Sequence, residues 1–170
     1  MASMDWLTPD RRKSLGGGIL GMSVAIVLIL ALPGLLPTPS RETAVAAALL
    51  APALTVFGLT LAVSAGRFGG RRFDPLTDQE SRYIAVSQRS LTNSVEQGLV
   101  FALAASALAW TAGPEWLSVV PALALTFVVA RLAFWLGYLK GPFIRPPGMA
   151  GTLITNLVTV ALAVWQAFGG

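Results

Sequence analysis

Long apolar stretches, most of them close to the roughly 20 residues that cross a bilayer, constrain this chain more than anything else in it. The clearest is "LGGGILGMSVAIVLILALPGLL", about Leu15 to Leu36; the others run about Ala44 to Phe68, Arg89 to Trp110, Leu117 to Tyr138, and Met149 to Phe168. The third is expected to start earlier, as helix outside the lipid. Charged residues make up 12% of the 170-residue chain, about half the share usual in a soluble domain. In so short a chain a soluble core would leave these stretches uncovered, so the sequence predicts an all-α integral membrane protein with five spans. Each span satisfies its backbone as a helix, because the alternating pattern of a membrane β-barrel does not occur.

The breaks between spans agree. "PGLLPTPS", "AGPEW" and "KGPFIRPPG" place proline and glycine where helices must end. Trp110, Trp116 and Trp165 lie near span ends, as interfacial aromatics do. The first span could be a signal peptide behind "RRKSLGGG", but no small-residue cleavage site follows "LALPGLLP", and a retained helix is expected. Arg11, Arg12 and Lys13, then Arg67, Arg71, Arg72 and Arg82, then Lys140 and Arg145 all fall on one side if there are five spans. Arg41 is alone on the other. Positive residues collect on the cytoplasmic side, so the N-terminus is expected in the cytoplasm and the C-terminus outside, in the inner or plasma membrane of a bacterium. The net charge of +4 comes from these flanking residues and not from a basic tract, which argues against nucleic acid as partner. The chain has no Cys and no His, so disulfides, thiol nucleophiles, histidine bases and the usual zinc ligands are excluded, and no metal site is expected.

One polar group stands out. In "RSLTNSVEQ", Arg89, Asn93 and Glu96 are spaced i, i+4, i+7 and share a helix face. Asn93-x-x-Glu96 also has the form of a helix-capping box, with Arg89 snorkelling to head groups. On the next span, Arg131, Phe134, Trp135 and Tyr138 again lie on one side, and Arg131 sits deep in "TFVVARLAFWLGY". An intramembrane arginine faces a partner or a wet cavity, and Glu96, the acid within the spans, is the expected ion-pair partner. Arginine forks, an amide and a carboxylate together can receive a small anionic or zwitterionic molecule, with access from the lipid for an apolar second ligand. Intramembrane Arg and Glu also mark transport pathways, but no inverted repeat or pair of broken helices accompanies them here.

"R-x3-N-x2-E" at Arg89–Glu96, followed by "RLAFWLGYLKGPFIR" at Arg131–Arg145, resembles the MAPEG family, the membrane-associated proteins in eicosanoid and glutathione metabolism. The resemblance covers about Ala44 to Phe168. It implies a four-helix membrane bundle over 44–170, with residues 1–43 adding a cytoplasmic segment and an extra first helix. It further implies a homotrimer, with glutathione bound between subunits near the cytoplasmic side. Arg89, Asn93, Glu96, Arg131 and Tyr138 match glutathione-site positions, Arg67 falls at the end of the family's first helix, and Arg145 matches the arginine that stabilises the glutathione thiolate. The activity implied is a glutathione transferase or peroxidase acting on hydrophobic electrophiles or lipid hydroperoxides. The family also has a non-enzymatic member, so a non-catalytic subunit or lipid-binding scaffold, contacting a partner membrane protein through the first span, is the alternative. Gln97 stands where several family enzymes have tyrosine and Phe134 where some have another, and Pro146 and Pro147 directly follow Arg145.

Overall fold

A computed structural model describes residues 8–70 and 79–169. Arg71 and Arg72, used above to orient the chain, lie outside the described residues. Five α-helices follow in order: α1 Pro9–Leu35, α2 Arg41–Gly69, α3 Arg82–Thr111, α4 Val119–Lys140 and α5 Pro146–Phe168, with a 3-10 turn at Pro114–Trp116 before α4. Among the described residues there is no strand.

The helix starts are set by short polar side chains. Thr8, Ser40 and Ser81 accept hydrogen bonds from the backbone N–H groups of Arg11, Thr43 and Ile84, which would otherwise be orphaned in the first turn. Because Ser81 caps α3, Asn93 and Glu96 lie three to four turns inside that helix. The capping-box reading of Asn93-x-x-Glu96 is therefore wrong: the pair belongs to the body of α3.

Four helices are long and apolar enough to cross a membrane, namely α1, α2, α4 with its preceding turn, and α5. The five-span count is not reached on this measure. The physical reason is the first half of α3, where Arg82, Arg89, Asn93 and Glu96 interrupt the apolar run.

Helices α2 to α5 form the bundle. Its core is built from small and aromatic side chains: Ala44, Ala48, Ala105 and Leu108 are buried against Leu123 and Phe127, and the rings of Phe101 and Phe127 stack with centroids 4.6 Å apart. Helix α1 lies outside the bundle against α5 and α4, burying Gly21, Ala25 and Ile29. This contact is backbone against backbone: a Cβ on Gly21 would collide with the Pro147 carbonyl, and one on Gly17 would press on the Pro147 ring at 3.2 Å. Close approach through glycine is how apolar helices associate where lipid removes the hydrophobic drive.

Two arginines tie helix ends together. Arg41 donates to the carbonyls of Ala109, Trp110 and Ala112 at 2.6, 2.5 and 3.0 Å, closing the end of α3. At the opposite end of the bundle, Arg82 donates to the carbonyls of Leu139 and Tyr138 at 2.5 and 3.1 Å, closing the end of α4. The last carbonyls of a helix lack intrahelical partners, and a guanidinium supplies several donors at once.

Candidate functional site

The residues singled out in the sequence meet where the N-terminal half of α3 packs beside the C-terminal half of α4 and the start of α5. Arg131 on α4 is 1% exposed. Its Nε and Nη2 donate to the Ser94 hydroxyl at 3.0 and 2.8 Å, and its Nη1 donates to the Asn93 carbonyl oxygen at 3.0 Å. The guanidinium also lies 4.4 Å from the centroid of the Phe134 ring. The ion pair expected between Arg131 and Glu96 does not form. Ser94 and Glu96 are two residues apart, about 200° around the helix, so when Ser94 faces α4 the carboxylate faces away. Asn93 stands between them, donating from Nδ2 to Glu96 Oε2 at 3.4 Å. The charge relation is therefore a relay, arginine to amide to carboxylate.

Arg145 precedes the first turn of α5, with its guanidinium carbon 4.9 Å from the centre of the Tyr138 ring. Arg89, Asn93, Phe134, Tyr138, Arg145 and Met149 line a cavity of about 160 Å³. Glycine makes this possible. A Cβ on Gly148 would collide with the Phe134 backbone, and one on Gly137 with the Ile144 carbonyl, so α5 turns back hard against α4 and delivers Arg145 onto Tyr138. Arg82, by holding the Tyr138 carbonyl, fixes the same helix end to α3.

A second, larger cavity of about 470 Å³ adjoins it, lined by Glu80, Gln88, Arg89, Thr92, Asn93 and Glu96 among others. Arg89 and Asn93 border both. Arg67 is not in either lining; it donates to Glu80 Oε1 at 2.9 Å and so stands behind the larger cavity's edge. Arg131 lines neither polar cavity. It borders a mostly apolar cleft with Leu54, Leu59, Val128 and Trp135, between α2 and α4. Of the seven residues proposed from sequence, Arg89 and Asn93 line both cavities, Glu96 lines the larger, Tyr138 and Arg145 line the smaller, and Arg67 and Arg131 support from outside.

Three contributors were missed. Ser94 accepts from the buried guanidinium. Arg82 was read only as an orientation charge. Asn156, an amide midway along α5, donates to the Gln97 side chain and backbone oxygens at 2.9 and 3.1 Å, so Gln97 is turned to α5 and not towards Tyr138 or Arg145. An amide inside an apolar span was visible in the sequence and signals an interhelical bond; the Ser94 hydroxyl and the backbone carbonyls that Arg82 holds carry no such mark.

The arrangement offers two outward guanidiniums, an amide, a phenol and a carboxylate around connected cavities, with apolar helix surface on either side. The MAPEG family model matches residues 43–165. A search of curated proteins finds no match.

Proposed function

Because the chain belongs to the MAPEG family, we propose that it is a membrane-bound glutathione-dependent transferase or peroxidase. The observation that carries this reading is the stacking of Arg145 on Tyr138 in a cavity shared with Arg89 and Asn93. The donor set suits glutathione: Arg89 and Asn93 receive a carboxylate, Glu96 receives the ammonium group, and Tyr138 and Arg145 face the thiol. The larger cavity, about 470 Å³, falls in the size range of small-molecule sites.

Arg145 places a fixed positive charge beside the sulfur. A free thiol titrates near 8.5, and a neighbouring cation lowers that value, so more thiolate is present at neutral pH. The chain needs no nucleophile of its own, in keeping with its lack of Cys and His. In the transferase reaction the thiolate forms a bond to an electrophilic carbon as the leaving group departs with its electron pair. In the peroxidase reaction two glutathione molecules are oxidised to the disulfide while a hydroperoxide is reduced to an alcohol and water. The second substrate is a hydrophobic molecule that reaches the site from the bilayer.

In this reading α3 crosses the membrane as the fifth span, with the N-terminus cytoplasmic. Arg89, Thr92, Glu96, Leu99 and Leu103 recur at helical spacing on an exposed face of α3. Polar groups at that depth call for a protein neighbour, which supports a homotrimer with this face between subunits.

The test is to add glutathione to purified protein and follow thiolate absorbance in the ultraviolet. A signal at neutral pH that moves to higher pH in Arg145→Ala is expected; no signal in the wild type rejects the enzyme. The second reading, a non-catalytic subunit or lipid-binding scaffold, is favoured by one observation: Gln97 is committed to Asn156 and Phe134 to Arg131, at two positions where some enzymes of the family carry tyrosine. Co-purification with a larger complex without glutathione binding would decide for it.

A further inference from the structure

Helix α1 does not lie flat on the bundle. It touches α5 through glycine, but beside α4 it leaves a cleft of about 140 Å³, almost wholly apolar, with Leu20 and Val24 on one wall, Val129 and Ala133 on the other, and Gly148 beneath. The wall residues define stripes that can be followed to the helix ends. On α1, Lys13 precedes Leu20 by seven residues and Val24 by eleven, and so lies on the same stripe. On α4, Lys140 follows Ala133 by seven and Val129 by eleven, again on the same stripe. Gly17 against Pro146 and Pro147 puts the start of α1 level with the start of α5, and α4 ends six residues before α5 begins, so both lysines come to the same end of the cleft. Each stands about 10 Å beyond the lining residue seven positions away, at 1.5 Å per residue. Both lysines are exposed.

An apolar slot between helices, with two exposed lysines on its wall stripes about 10 Å beyond the lining at one end, has the complementary form of an anionic lipid: chain in the slot, phosphate towards the lysines. Basic residues between transmembrane helices on the cytoplasmic side hold such head groups. We propose that the α1–α4–α5 cleft binds one acyl chain of an anionic phospholipid whose phosphate is held by Lys13 and Lys140. The site uses the helix that the family bundle lacks. It rests on these helices spanning the bilayer and is independent of the glutathione reading.

The experiment is native mass spectrometry of the full, lipid-depleted protein in detergent, titrated separately with phosphatidylglycerol and with phosphatidylcholine of identical chains. Phosphatidylglycerol is expected to bind roughly thirtyfold more tightly, the preference expected of two lysines near an anionic head group. Lys13→Gln with Lys140→Gln is expected to remove the preference while leaving weak binding of both lipids. Ala133→Trp, which fills the cleft, is expected to weaken both lipids. Equal binding of the two lipids by the wild type, a preference that survives the double lysine substitution, or tight binding that survives Ala133→Trp would each overturn the proposal.

Discussion

Removing the Arg131 guanidinium tests whether it touches the ligand or only holds Asn93. In Arg131→Met the side-chain volume is largely kept, but the Ser94 hydroxyl and the Asn93 carbonyl oxygen lose three donated hydrogen bonds. Interhelical hydrogen bonds in membranes average about 0.6 kcal/mol, so three give about 2 kcal/mol of lost stability, less than the roughly 1.5–3 kcal/mol that each charge-assisted bond contributes in water-soluble proteins. Relief from burying a charge offsets part of this, which keeps the variant folded. The effect on glutathione is separate. Asn93, freed of its anchor, ceases to hold one orientation, and the ligand loses about one hydrogen bond, about 1 kcal/mol or roughly fivefold in affinity. The assay is a double-substitution cycle on glutathione affinity, measured by equilibrium dialysis with Asn93→Ala as the second change. If Arg131 acts through Asn93, the double variant binds no more weakly than Asn93→Ala alone. Additive losses would refute this and make Arg131 a direct ligand contact.

Three further outcomes are expected. Gly148→Ala forces a methyl into the Phe134 backbone; it costs about 1–3 kcal/mol or more, read as a lowered unfolding temperature in detergent, and abolishes the thiolate signal because Arg145 is displaced. Arg82→Met frees the Tyr138 and Leu139 carbonyls and lowers stability by about 1–2 kcal/mol with a weaker thiolate signal; a normal signal would show that this tie does not position the site. Arg41→Met releases three carbonyls at the far end of α3, with a similar stability loss of about 1–3 kcal/mol but unchanged glutathione affinity; a changed affinity would break the separation of the two ends.

Much of the helical layout was legible from the chain because its signals are local. Apolar run lengths and the Pro-Gly breaks act within a few residues; the capping hydroxyls of Ser40 and Ser81 are as local but were not picked out. The burial of Arg131 was legible too, since an arginine deep in an apolar run has few places to go. Its partner was not, for two reasons. Charge matching points to Glu96, whereas helix phase brings Ser94 and Asn93 to face α4; and a hydroxyl carries no charge to advertise itself. The same limit hid Arg82 and Arg41, whose partners are backbone carbonyls 56 to 71 residues away in the chain. The start of α3 at Arg82 agrees with the expected early start of the third span and rules out the capping-box alternative, leaving Asn93 and Glu96 in the helix body.

The glycine contact between α1 and α5 joins two helices made far apart in time. Residues 36–145 separate them, so at about 5–20 residues per second some 5–20 s of synthesis pass before α5 exists to receive α1. During that interval α1 is held in the membrane by its own hydrophobicity, with its Gly17 and Gly21 face open. Such a face pairs with any similar helix. A nascent chain stalled before α5 therefore carries a ready dimerisation surface, and completion of α5 is the event that hides it.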